Sequence, residues 1–236
     1  MKYFNFVPMD IYGQALQDFY NQQPEEKLWL NNTYGEPEEM PVEVFFRGED
    51  EMPEAELLAL KMCRGKVLDI GAGAGSHALV LQERKLEVTA LEISPGAAAV
   101  MQKRGVKTVL QQDIFQYQTE KFNTLLLLMN GIGLTQNLAG LDRFLQHAKQ
   151  LLLPGGQLIF DSSDITYLYE DLALPKNNYY GEISYQYQYK NQQGDWFNWL
   201  YIDSETLEKH ARQQGWKCEI VYEDDMDLYL AQLTLT

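Results

Sequence analysis

"VLDIGAGAGSH", residues 67–77, sets strand-forming residues directly against three glycines in five positions, with Asp69 just ahead of the first of them. A strand that runs into GxGxG and then into helix-forming sequence reads as the βα turn of a parallel sheet. Glycine tolerates the left-handed backbone and the close approach that such a turn demands. Backbone N–H groups and bare Cα atoms then face the carboxyl edge of the sheet, where a nucleotide-type ligand is the natural occupant.

The surrounding chain extends this unit in both directions. Strands are expected over Lys66–Ile70, Glu87–Glu92, Lys107–Gln111, Asn123–Asn130 and Gln157–Asp161, with helices over Ser76–Lys85, Pro95–Arg104 and Leu138–Leu153. Almost wholly apolar strands such as "TLLLLM", alternating with amphipathic helices, predict a doubly wound α/β sheet covered on both faces. A further helix, "PEAELLALKMCRG", starts at Pro53 and stops at Gly65.

Two segments depart from the pattern. Residues 1–52 offer a helix over Asp10–Gln22 and two strand-like runs, "KLWLNNTY" and "MPVEVFFR", which read as a flap attached to a main unit of residues 53–236. Within that unit, "EISYQYQYKNQQGDWFNWLYI" alternates through Ile183, Tyr185, Tyr187 and Tyr189, turns near Asn191–Gly194 and returns, predicting an antiparallel hairpin inserted over about residues 179–202. A helix with Ser204 as N-cap and Gly215 as stop follows, then two strands joined at the acidic turn Asp224–Asp227.

Composition excludes several classes of partner. With 34 acidic against 19 basic residues and a formal net charge of −15, the chain repels a phosphate backbone, so nucleic acid is not expected. No apolar run approaches the roughly 18 residues of a membrane span, and "MKYFNFVPMDIYGQ" lacks the features of a signal peptide, so a cytoplasmic location is expected. Cys63 and Cys218 stand alone, which predicts reduced thiols and no metal site. His147 and His210 lie on amphipathic helices and are expected in solvent.

Carboxylate spacing narrows the ligand. Gly75 falls four residues after Gly71 where a dinucleotide fingerprint needs five, and Asp69 would meet a pyrophosphate as a like charge. Glu92 ends the second strand about twenty residues beyond the glycines, where a carboxylate accepts both hydroxyls of a ribose. Asp113 ends the third strand at the same edge, placed for an exocyclic amine such as that of adenine. Together these acids describe a seat for a positively charged nucleoside.

In that order, "VLDIGAGAG", "ALEIS", "QQDIF", "LLLLMNGIG" and "LLLPGGQLIFD" resemble the class I S-adenosylmethionine-dependent methyltransferases, from about residue 60 to the C-terminus. "MNGIGL", "DSSDI", "FNWLYID" and "YGQAL" look like small bacterial members of uncharacterised substrate. The resemblance implies a Rossmann-like sheet of seven strands with the last antiparallel, and S-adenosylmethionine as cofactor. It places Asp69 and the Gly71, Ala72, Gly73 and Gly75 loop at the methionine portion, Glu92 with the adjoining Ile93 at the ribose, Asp113 with Ile114 at the adenine, and Asn130 with Gly131 beneath the sulfonium.

Direct displacement onto a small molecule is the expected reaction, with His77, Asp161 and Tyr12 as candidate bases and Trp196, Trp199 and Tyr180 as an acceptor cap. Three alternatives stay open: a non-catalytic S-adenosylmethionine sensor, a protein methyltransferase, and a nicotinamide-dependent oxidoreductase, for which "YQTEK" offers Tyr117 and Lys121. The acceptor and the oligomeric state have no readable code.

Overall fold

Each apolar strand meets a covering layer on both faces, and the alternation of Leu125, Leu126 and Leu127 shows how. All three are fully buried, yet Leu125 and Leu127 pack with Phe144, Leu158 and Trp216 on one face while Leu126 packs with Leu60, Leu81 and Ile159 on the other. The computed structural model describes residues 9–23, 26–170 and 173–236, so residues 1–8 of the expected flap lie outside it.

In chain order, α1 (Ile11–Tyr20) leads to β1 (Leu28–Asn32) and β2 (Glu38–Met40), and α2 (Glu54–Met62) then delivers the chain to β3 (Lys66–Ile70). There follow α3 (Ser76–Glu83), β4 (Glu87–Glu92), α4 (Pro95–Arg104), β5 (Val109–Gln111), β6 (Phe122–Leu127), α5 (Leu138–Leu151) and β7 (Leu152–Ser163). The remainder is β8 (Glu182–Tyr189), β9 (Gln192–Gln193), β10 (Phe197–Leu200), α6 (Ser204–Gln213), β11 (Trp216–Glu223) and β12 (Leu228–Leu235).

The main sheet has seven strands in the order β11-β12-β7-β6-β3-β4-β5. β3 through β7 pair in parallel, and β12 runs antiparallel to both β7 and β11, so the expected Rossmann-like sheet with its last strand antiparallel is present. From β3 the chain moves outward through β4 and β5, then returns to the other side of β3 with β6. That reversal opens a crevice at the carboxyl ends of β3 and β6, the place where open α/β sheets bind ligands.

A second sheet, β10-β8-β1-β2 with β9 on β8, is antiparallel throughout. It joins the N-terminal segment to the inserted hairpin through β1 and β8, which pair from Leu28↔Tyr189 to Asn32↔Tyr185. Leu28, Leu30, Ile183, Tyr185 and Tyr189 are buried on one face, while the amides of Asn31, Gln186 and Gln188 bond one another on the other.

Several local expectations need correction. "MPVEVFFR" is not a strand: β2 stops at Met40, Pro41 has no N–H to continue a ladder, and Val42–Phe46 form a 3-10 helix. The N-cap of α6 is Asp203, whose carboxylate accepts the Thr206 N–H, rather than Ser204. His147 is buried, and His210 lies 2.8 Å from Asp142 instead of standing free. Cys63 is buried and Cys218 half-buried, both as free thiols. Among the described residues no helix is long and apolar enough to cross a membrane.

Candidate active site

The glycine turn lies against the end of β4. Gly71, Gly73 and Gly75 all take left-handed backbone, with φ of 71°, 55° and 85°, but they serve different ends. A Cβ on Gly75 would strike Met101 and Val106, so that glycine lets α3 and α4 pack; a Cβ on Gly71 would touch only Leu134, at 3.9 Å. The Gly71 and Ala72 amides donate to the Leu91 carbonyl, and the Gly73 amide donates to Glu92 Oε2 at 3.0 Å.

Glu92 is 6% exposed and accepts the Ser94 amide on its other oxygen at 2.9 Å. Burial raises its carboxyl while the backbone donors of Ser94, Gly73 and Ile93 pull it back. Ile93, the next residue, is 67% exposed. A buried acceptor beside a bare apolar side chain suits the ribose and base of a nucleoside. Asp113 accepts the Phe115 amide at 2.9 Å and caps the short 3-10 turn Ile114–Gln116, with Ile114 buried.

Across the crevice, Met129 and Asn130 both adopt left-handed backbone, at φ 63° and 54°. Such strain persists only where neighbours enforce it. Here Asp161 does so, with Oδ2 accepting the Met129 amide at 3.1 Å and Oδ1 the Asn130 amide at 2.8 Å. Ser163 Oγ donates to Asn130 Oδ1 at 3.2 Å, and Gly131 opens the 3-10 turn that follows. Burial pushes the Asp161 carboxyl up to about 7 against the backbone bond from Asn130. Asp161 therefore braces the floor of the crevice; it is neither an open base nor a helix cap.

The other two candidate bases are also committed. His77 is buried with Nε2 2.8 Å from Glu56 Oε2, and Glu56 Oε1 lies 2.6 Å from Arg47. Burial would depress the imidazole, but Glu56, Asp69 and Asp161 outweigh it and raise it overall. Burial, reinforced by Glu92, holds the Tyr12 phenol well above its ordinary range, so it stays protonated at neutral pH. Asp69 is 1% exposed; its carboxyl is pushed up to about 6 by burial, and its Oδ2 has no hydrogen-bond partner among the described residues.

A row of aromatic rings runs along the second sheet from the glycine turn to Gly133. Tyr12, with its hydroxyl over Gly73, meets Phe45 edge-on at 5.2 Å and stacks on Tyr187 at 5.5 Å. Tyr187 adjoins Phe197 at 5.0 Å, Phe197 adjoins Trp199 at 6.3 Å, and the Trp199 indole rests on Gly133. Of the expected cap residues, Trp199 stands in this row. Tyr180 sits further out, bonding Asp164 at 2.9 Å and Asp203 at 3.1 Å, and Trp196 is 52% exposed on the β9–β10 link.

Sequence reasoning missed Asp10, Phe45, Arg47, Glu56 and Arg104. Asp10 caps α1 through the Gly13 amide and also accepts Ser94 Oγ and the Gly96 amide, each at 2.8 Å, which ties α1 to the start of α4. The cap was readable as an acid before "IYGQAL"; its second partner, more than eighty residues away, was not.

Comparison with known proteins supplies the family. A family model described as a methyltransferase domain matches residues 46–221. The crystal structure of an S-adenosylmethionine-dependent methyltransferase from Bacteroides fragilis, in complex with S-adenosyl-L-homocysteine, is 41% identical over 98% of each chain, with a TM-score of 0.90. The CcbJ methyltransferase from Streptomyces caelestis (13% identical, 96% and 98% covered, TM-score 0.66) and the sugar N-methyltransferase KedS8 from Streptoalloteichus sp (20%, 85% and 96%, TM-score 0.57) share the fold. No curated protein sequence matches. The fold and these matches define a Rossmann-like, S-adenosylmethionine-dependent transferase. The chain belongs to the methyltransferase domain family.

Proposed function

We propose that this enzyme methylates a small-molecule acceptor held between the Asn130–Gly131 floor and the aromatic row of the second sheet. The carrying observation is that row: Tyr12 at Gly73 and Trp199 at Gly133 span the crevice from one sheet turn to the other. A roof of that kind suits a compact acceptor better than a protein surface.

The residues present fit S-adenosylmethionine. Buried Glu92 would accept the ribose hydroxyls, exposed Ile93 would cover the base, and Asp113 with Ile114 would receive the adenine edge. The unpartnered oxygen of Asp69, beside an open Gly71, suits the cationic methionine end. When bound, the cofactor supplies a methyl group already activated by its sulfonium.

The protein's own work is therefore alignment and exclusion of water, which in favourable cases lowers a barrier by about 7–11 kcal/mol. Asp161 fixes the floor, and the ring row shields the crevice. With His77, Tyr12 and Asp161 all committed, the acceptor must bring its own lone pair, as a neutral amine does, and its proton leaves to water after transfer. Arg47 and Arg104, beside the turn, are bonded to Glu56 and to backbone carbonyls, which disfavours an anionic acceptor.

Calorimetry with S-adenosylmethionine, S-adenosylhomocysteine and NAD, on wild type and Glu92→Ala, tests the cofactor. Binding of the first two, at least about tenfold weaker in the variant, is expected, since a charged hydrogen bond contributes roughly 1.5–3 kcal/mol. Binding of NAD alone would overturn the reading. Binding with no turnover of an amine, phenol and carboxylate panel would favour a sensor.

A further inference from the structure

A buried ionic chain runs beneath the glycine turn, and methyl transfer has no direct use for it. Arg47 follows the 3-10 helix Val42–Phe46 and pairs at 2.6 Å with Glu56 on α2, which pairs at 2.8 Å with His77 on α3. The Glu56 and His77 side chains are only 7% and 9% exposed. Asp69 on β3 and Asp161 on β7 also face the imidazole, and Cys63 at the end of α2 faces Asp69. The group holds three carboxylates, one guanidinium and one imidazole, with Asp69 Oδ2 and Arg47 Nε both lacking hydrogen-bond partners among the described residues.

The outer end of this chain is tied to the cover of the site. Arg104 donates to the carbonyls of Ala74 at 2.8 Å, Phe45 at 3.3 Å and Phe46 at 3.2 Å, and Ser76 Oγ donates to the Phe45 carbonyl at 2.8 Å. The Phe45 ring buttresses Tyr12, whose hydroxyl covers Gly73. Whatever loosens residues 42–47 uncovers the turn.

We propose that His77 is a positioning residue: its protonated imidazole, bound to Glu56 and facing Asp69 and Asp161, fastens residues 42–47 over the glycine turn and so sets the affinity for the methyl donor. This rests on the donor reading above. Loss of that proton leaves three buried carboxylates with one guanidinium among them, paired to Glu56. Uncompensated charge in a dry interior is costly, so the cluster relaxes by taking up water and the Arg47 tether slackens. The raised proton affinity of His77 favours the fastened form.

The test is calorimetry with S-adenosylhomocysteine from pH 6.5 to 9 on wild type, His77→Gln and Arg47→Met, with thermal unfolding as a folding control. Wild type should bind about tenfold more tightly than His77→Gln at pH 6.5, and the ratio should close toward unity at pH 9, as linkage to one proton requires. The ligand's own amino group titrates alike in both proteins and cancels in the ratio; Asp69, at about 6, and Asp161, at about 7, are ionised in wild type by pH 8, so the change in ratio between pH 8 and 9 reports His77. Arg47→Met, which leaves α3 untouched, should weaken binding and flatten the wild-type pH slope, because the proton on His77 then has no tether to fasten.

A ratio that is constant with pH, or unchanged binding in Arg47→Met, overturns the proposal. The second criterion stands even if His77→Gln does not fold. Failure of wild type to bind S-adenosylhomocysteine at any pH would instead remove the donor reading, and this inference with it.

Discussion

Gly133 is where β10 of the second sheet meets the turn after β6, and its lack of a side chain is what allows contact. A Cβ there would collide with the Nε1, Cδ1 and Cε2 atoms of Trp199, a rigid ring that cannot fold away. Gly133→Ala should cost about 1–3 kcal/mol, the usual range for overpacking, and appear as a lower denaturation midpoint with altered tryptophan fluorescence. An unchanged midpoint would mean that Trp199 is free to leave. Ile93 poses the opposite case, an apolar side chain 67% exposed with nothing in the fold to cover. Ile93→Ser should leave the melting temperature nearly unchanged but weaken S-adenosylmethionine binding roughly tenfold, the equivalent of burying one aliphatic side chain. Equal loss of stability and affinity would show that Ile93 serves the fold instead.

Elements separate what a sequence discloses from what only contacts reveal. β3, the glycine turn and Glu92 were legible because each is encoded within about thirty residues by strand pattern, glycine spacing and one terminal acid. The 3-10 helix Val42–Phe46 was not, since "VEVFF" has the β-branched and aromatic composition of a strand and becomes helical through Pro41 and the carbonyl bonds made by distant Arg104. Pairing of β1 with β8 was equally hidden, since no local rule links Leu28 to Tyr189. His77 was visible as a chemical group, but its pairing with Glu56, and through Glu56 with Arg47, follows no local rule. The Arg104 clamp supplies a prediction at this scale. Arg104→Lys keeps the charge but loses the planar fork that reaches three carbonyls, so amide exchange should quicken in residues 42–47 while β6 and β7 keep their protection. Uniform acceleration across the chain would mean that Arg104 supports the whole fold.

For the whole molecule, buried acids beneath the crevice give stability a direction with pH. Burial raises Asp161 from an ordinary 3.8 to about 7, and Asp69 from 3.8 to about 6. Each therefore holds its proton in the folded state over a range where the unfolded chain has released it. Stability from these groups is fully present below the unfolded value and is lost as pH rises through the folded one. His77, also raised, acts in the same direction. Glu56 acts oppositely: burial alone would raise it, but His77 and Arg47 lower it overall, so its contribution is lost only toward the acid end. The ligand-free protein should melt progressively lower from about pH 5 up to about pH 7, as scanning calorimetry would record. Asp161→Asn should flatten that decline between pH 5.5 and 7.5, because the variant has no proton to lose there. Saturating S-adenosylmethionine should flatten it as well, since a cation beside Asp69 favours the ionised carboxylate and lowers the proton affinity of the cluster. A melting temperature that climbs from pH 5.5 to 8 would instead place both acids in the ionised state throughout, with enough solvent or counter-charge to keep them so.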